Sequence, residues 1–175
     1  MSDTIIVKNV RISFPSLFTK PVINGQEGKF GAKFILDPES NKAAIRDLES
    51  RIAVLVRDKL KDIKLPSEKK CLRGGDDMAR PEYEGSMVLS ASNKVRPVVI
   101  DKRGQPLSEE DGLIYSGCRV NAKVDLWAQD NKFGKRINAT LIAVQFQADD
   151  EPLGGGHVTH DQAVEGFDFD ETEDF

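Results

Sequence analysis

Residues 118–147 hold the side chains best suited to chemistry with another molecule. Alternation assigns Cys118, Val120, Ala122, Val124 and Leu126 to one face of a strand, and Arg119, Asn121, Lys123, Asp125 and Trp127 to the other. The second face carries two cations and the chain's one Trp, and the turn that follows adds Lys132, Phe133, Lys135 and Arg136. Cations neutralise phosphates, and an exposed ring stacks on a nucleobase for about 1–3 kcal/mol. Bases inside a duplex are already stacked, so this mixture points to a single strand. The competing reading has Trp127 covering a second apolar face, since most Trp are largely buried.

Smaller groups extend the theme. Lys29 and Lys33 lie opposite Phe30 and Phe34, so Lys33 joins the candidate cations while the Phe pair reads as core. Lys94 and Arg96 flank Val95 ahead of Pro97 and would lengthen a basic groove, although plain surface charge explains them nearly as well. Tyr83, between Glu82 and Glu84, either stacks on a base or plugs one end of the body; its acidic neighbours favour the plug. Phe14 and Phe18, around Pro15 and Leu17, have the spacing of a loop folded back on the core.

Catalysis finds little support. His157, His160 and Asp161 lie in a Gly-rich acidic stretch without further ligands, so no metal site is expected there beyond adventitious binding. Gly154-Gly155-Gly156 has no following Lys and opens no helix, which excludes a phosphate-binding loop. With both His in that stretch, no Ser-His-Asp or Cys-His arrangement can be built. The carboxylates Asp76-Asp77 and Glu109-Glu110-Asp111 sit in loops and are the one motive for a metal-dependent nuclease. No enzyme and no cofactor is expected.

The formal net charge of −4 hides a split. Residues 149–175 hold ten acids and no Lys or Arg, which leaves 19 acids against 25 bases in residues 1–148, a net of +6. The boundary at 148 therefore separates a basic body, expected to be one domain, from an acidic tail expected to be disordered. That tail ends Gly166-Phe167-Asp168-Phe169-Asp170-Glu171-Thr172-Glu173-Asp174-Phe175. Phe residues among acids suit docking into a basic, apolar-lined groove of a partner, with Phe175 and its free carboxylate as anchor. The same acids can mimic phosphates and compete for the body's own groove. Phe167, Asp168, Phe169, Asp170, Glu171, Glu173, Asp174 and Phe175 are thus the candidate partner-binding residues.

The elements that must position these groups are mostly strands. Residues 4–13 and 29–36 read as strands, with Phe14-Pro15 ending the first. Asp37 as N-cap, Pro38 at the first turn, and Ile45, Leu48, Ile52, Leu55 and Ile63 at helical spacing predict a long helix over 38–65, stopped by Pro66. Residues 66–85 read as a long polar loop. Strands follow at 86–93, 95–100 and 113–128, the last bent at Gly117, with a return strand at 136–147 after the turn 130–135. One helix among about six short strands gives a mainly β fold, and an OB-fold-like antiparallel Greek-key barrel leads that class. No apolar run approaches the roughly 18 residues needed to span a membrane, and no signal peptide is visible. Cys71 and Cys118 stand 47 positions apart, which fits a reducing cytoplasm.

Several stretches resemble the compact OB-fold single-stranded-DNA-binding proteins of tailed phages. They are Val10-Arg11-Ile12-Ser13-Phe14-Pro15, Gly28-Lys29-Phe30-Gly31-Ala32-Lys33-Phe34, Ser90-Ala91-Ser92-Asn93-Lys94, and above all Ile114–Ala122 with Trp127–Ala139. The resemblance implies an OB-fold, sequence-independent binding of single strands, and a role in phage DNA replication, recombination or repair in the bacterial host cytoplasm. It implies no catalysis, recruitment of replication or recombination proteins by the tail, and leaves room for a homodimer. The helix departs from it, since a simple OB-fold places its helix between the third and fourth strands rather than after the second. The rival from another class is an acidic adaptor or DNA mimic, whose working charge would lie in the tail.

Overall fold

The computed structural model describes residues 3–153 and Gly166. Its strands are β1 (Asp3–Ser16), β2 (Val22–Ile23), β3 (Gln26–Glu27), β4 (Phe30–Leu36), β5 (Leu72–Gly74), β6 (Met87–Asn93), β7 (Val98–Ile100), β8 (Arg119–Asn131) and β9 (Gly134–Ala148). The helix α1 spans Lys42–Lys59. β2 and β3 form a small hairpin inside the predicted loop between the first two long strands.

β1 pairs antiparallel with both β4 and β8, β4 with β6, and β8 with β9. A parallel bridge between Ser92 of β6 and Thr140 of β9 closes the ring. The circle β1-β4-β6-β9-β8 is a five-stranded barrel in OB-fold order, with β5 added beside β6 and β7 beside β9. The closure is reinforced on both sides of the bridge. Asn93 donates its side-chain amide to the Leu141 carbonyl at 2.9 Å, and the Cys71 N–H donates to the Ile137 carbonyl at 2.9 Å.

The interior follows alternation along β8, and along β1 and β9 apart from bulges. Cys118, Val120, Ala122, Val124 and Leu126 of β8 are buried, as are Ile137, Ala139, Leu141 and Val144 of β9 and Val7, Val10 and Ile12 of β1. Phe34 is fully buried beside them, while Phe30 is half-buried at the rim. Helix α1 lays Ile45, Leu48, Ile52 and Val56 on this core.

The helix is shorter than predicted at both ends, for local reasons. The Asp37 carboxylate accepts the N–H groups of Glu39 (2.8 Å) and Ser40 (3.0 Å), closing a turn before the helix. Asn41 then accepts the Asp37 N–H at 2.8 Å and donates to the carbonyls of Lys8 and Asn9, tying the turn to β1. At the other end Lys61 and Asp62 take left-handed backbone angles (φ 57° and 53°), which ends the helix well before Pro66. The helix does lie between the second and third barrel strands, after β4 and before β6.

Three further predictions needed correction. β1 runs through Phe14-Pro15 to Ser16 on a bulge, instead of stopping there. The loop 66–85 contains β5 and three 3-10 turns. The strand expected at 113–128 starts at Arg119, because Gly117 (φ 113°) turns the chain.

Candidate nucleic-acid interface

A groove crosses the outer face of the barrel over its closing seam. β4 supplies Gly31 and Lys33, β6 supplies Ser90, Ser92 and Asn93, and β8 and β9 supply Trp127, Gln129, Arg136, Asn138 and Thr140. Phe14 and Ser16 enter from the end of β1, Pro21 and Lys29 from the loop before β4, and Lys70 and Arg73 from the segment around β5. An OB-fold binds oligonucleotides on this face, the one made by its second and third strands and the adjoining loops. The lining carries six cations (Lys29, Lys33, Lys70, Arg73, Lys94 and Arg136) against one acid, Glu68. Gly31 lets the strands meet closely beneath the groove, since a Cβ there would stand 2.6 Å from the Ala91 carbonyl.

Trp127 is 42% exposed, and its indole N–H is fixed on the Thr140 hydroxyl at 3.0 Å. The ring thus belongs to the groove rather than to a second core. Arg136 donates to the Glu68 carbonyl at 3.3 Å, and Lys33 to the Ser90 hydroxyl at 3.0 Å. Burial, then the guanidinium groups of Arg73 and Arg80, hold the Lys33 ammonium below the ordinary lysine pKa.

The predicted site residues fall into three groups. Trp127, Lys33, Lys94 and Arg136 line the groove together. Lys132, Phe133 and Lys135 sit at the β8–β9 turn beyond its lining, with Phe133 76% exposed and Lys132 5.2 Å over its ring. The others are elsewhere. Arg96 lies over the Phe18 ring at 5.2 Å. Lys123 is exposed higher on β8, in register with Ile6 and Ala143. Arg119 is engaged by Asp150 at 2.9 Å and by the Asn9 carbonyl at 3.2 Å. Tyr83 is 1% exposed, with its hydroxyl on Ser13 at 2.8 Å, so it is the plug and offers no ring to a base.

Three groove-lining residues, Phe14, Lys70 and Arg73, escaped the sequence reading. Phe14 was expected to pack, yet it is 36% exposed at the groove and lies under Arg80, 4.2 Å from ring centroid to guanidinium. Arg73 sits on the three-residue β5, inside what read as loop. Lys29 and Lys70 complete the lining cations.

The partner-binding residues Phe167, Asp168, Phe169, Asp170, Glu171, Glu173, Asp174 and Phe175 lie outside the described residues, as do His157 and His160. The start of the acidic segment is described, and it is held on the body. Tyr115 donates its hydroxyl to the Asp150 carbonyl (2.9 Å), and the Asp150 N–H donates back to that oxygen (3.0 Å). Asp150 pairs with Arg119 and, at 3.5 Å, with Arg11, which also reaches the Glu151 carbonyl. The Leu153 N–H donates to the Ser116 carbonyl at 3.0 Å, and its side chain packs on Ile35, Tyr83 and Val88. Gly117 makes room for this strap, since a Cβ there would stand 2.3 Å from the Glu151 carbonyl. Among the described residues no three His, Cys, Asp or Glu side chains gather as a metal-holding group, and no helix is long and apolar enough to cross a membrane.

Residues 3–175 match the family model described as the Enterobacter phage Enc34 ssDNA-binding protein. The chain is 39% identical over 172 residues to protein p50 of Acyrthosiphon pisum secondary endosymbiont phage 1, covering 93% of this chain and 91% of that one. Its structure is similar to the single-stranded DNA-binding protein from bacteriophage Enc34 in complex with ssDNA. There the TM-score is 0.77 at 32% identity, over 86% of this chain and 89% of that one. The single-stranded DNA-binding protein gp2.5 of bacteriophage T7 shares the fold, with a TM-score of 0.54 at 11% identity over 87% and 96% of the two chains.

Proposed function

The chain belongs to the Enterobacter phage Enc34 ssDNA-binding protein family, and we propose that it binds single-stranded DNA along the groove without reading base sequence. The observation that carries this is the lining itself: six cations to one acid around Trp127, on the ligand face of an OB-fold barrel. Cations track a backbone that every sequence shares, and a ring stacks on any base. Lys33, Lys94 and Arg136 contact phosphates, and Trp127 stacks on a base. Lys132, Phe133 and Lys135 extend the path at the hairpin tip. The protein acts in phage DNA replication, recombination or repair, in the host cytoplasm. The acidic tail competes with DNA for the groove and recruits partner proteins. The strap supports the competition, because its Leu153 packs on the cluster that contains Tyr83, whose hydroxyl is bonded to Ser13 next to the groove residue Phe14.

Titrating the protein with oligo-dT across a salt series tests the reading through its one Trp. Fluorescence should quench on binding. With all six groove cations engaged, log affinity should fall with log salt at a slope of about −4, from about −0.7 per neutralised phosphate on a single strand. A chain that leaves oligo-dT unbound at low salt, or binds it with no salt dependence, does not use this groove for DNA.

A further inference from the structure

Phe14 is held in a conformation that side chains avoid. Its φ is +49°, inside a bulge of β1 where the register with β4 shifts between Ser13 and Ser16. Simple packing offers no return for that strain, because the ring remains 36% exposed and lines the groove. Beside it gather three cations from three separate elements: Lys33 on β4, Arg73 on β5, and Arg80 over the ring at 4.2 Å. Among the described residues the acid paired there is Glu82, 3.7 Å from Arg80, its Oε1 buried and without a hydrogen-bond partner. The Arg73 Nε is buried and lacks a hydrogen-bond partner, while Lys33 is depressed by burial and by both guanidinium groups. Two half-buried cations and an exposed third, with a buried unfilled donor among them, make a place that an anion would stabilise.

We infer that Phe14, Lys33 and Arg73 form one nucleotide subsite of the groove, in which Phe14 stacks on a base and Lys33 and Arg73 hold the adjoining phosphodiester. Arg80 braces the covered face of the ring and adds its charge. Trp127 lies on β8, away from this end, so the groove has a ring from each of two strands and a bound strand is gripped at two bases.

The subsite rests on the single-strand reading above, and the experiment separates the two. Oligo-dT titrations over a salt series compare the full-length wild type, Phe14→Gly, Arg73→Gln and, as a control on the exposed end of α1, Lys59→Gln. Circular-dichroism melts confirm folding. Glycine accepts a φ of +49°, so Phe14→Gly removes the ring while relieving the backbone. It should weaken binding about tenfold or more at an unchanged salt slope. Arg73→Gln should weaken binding and flatten the slope by about 0.7, one phosphate contact fewer. Should Arg73→Gln not fold, Lys33→Gln supplies the same slope test from another strand. A wild type that does not bind oligo-dT removes the single-strand reading and the subsite together. A wild type that binds, with either folded variant retaining its affinity or the Lys/Arg variant retaining its slope, overturns the subsite alone.

Discussion

Cutting the chain after Ala148 and cutting it after Leu153 should give two different proteins. Both remove the Phe-rich acidic terminus, but the first also strips the strap from the body. It takes both partners of the Tyr115 hydroxyl at Asp150, the Asp150 pairs with Arg119 and Arg11, the Leu153–Ser116 backbone bond, and the Leu153 cover over Tyr83 and Val88. Neutral hydrogen bonds contribute about 1 kcal/mol each, part-exposed ion pairs well under that, and a half-buried Leu about 1 kcal/mol. The cost of losing the strap is therefore about 4 kcal/mol, or roughly 8–16 °C in melting temperature for a chain of this size. Thermal melts of the two truncations and the full chain read it directly. The cut after Leu153 should melt with the full chain. Equal melting of all three, or an equal loss in both truncations, would refute the strap. The effect has a pH signature. Burial pushes the Asp150 carboxyl up, but the Glu151 N–H, Arg11 and Arg119 outweigh it and hold the group below its ordinary value of 3.8. A lowered folded-state value contributes stability above the unfolded value, lost as pH falls through the folded one. The gap between the two truncations should hold at neutral pH and narrow as pH drops below about 4.

Trp127→Ala should weaken oligo-dT binding by about 1–3 kcal/mol, measured by electrophoretic shift because the fluorophore is gone; full affinity in a folded variant removes Trp127 from the interface. Tyr83→Phe should lower the melting temperature by a few degrees, since it strands the buried Ser13 hydroxyl at a cost of about 1–2 kcal/mol. DNA affinity should not change, and a selective loss of affinity would return Tyr83 to the site. Cys71 and Cys118 are buried, and burial pushes both thiols up to about 11. Neither should react with a thiol reagent at pH 8 until denaturant is added, and rapid labelling of native protein would contradict their burial.

Much of the barrel was legible because β8 obeys a two-residue period with one face buried, where a one-residue slip would reverse every side chain, and β9 keeps it as far as a bulge at Ile142. The same period placed Trp127 outward. Position along the strand was not legible. Arg119, Lys123 and Trp127 share a face, yet β8 is thirteen residues long and its upper cations stand away from the groove. Tyr83 and Ser13 meet across 70 residues of sequence, and no local pattern reports such a contact. Phe14 looked like packing because nothing in Phe-Pro announces a left-handed bulge. Arg73 was hidden by the brevity of β5, whose three residues borrow their order from β6. At the tail, the acids were visible but their receptors, Arg11 and Arg119, are distant in sequence. The boundary drawn at 148 therefore missed the five residues that the body holds.

The barrel's closing seam has a consequence of its own. β6 and β9 meet at Ser92 and Thr140, helped by a side-chain amide from Asn93 and by the segment at Cys71. Ser92, Asn93 and Thr140 all line the groove, and Trp127 is anchored on Thr140. A bound strand would lie across this join as a suture lies across a wound, gripping β4 and β6 on one lip and β8 and β9 on the other. Anything that opens the join would then have to release the ligand first. Bound DNA should accordingly slow amide exchange most at residues 92–93 and 140–141, making the nucleic acid a mechanical member of the barrel it occupies.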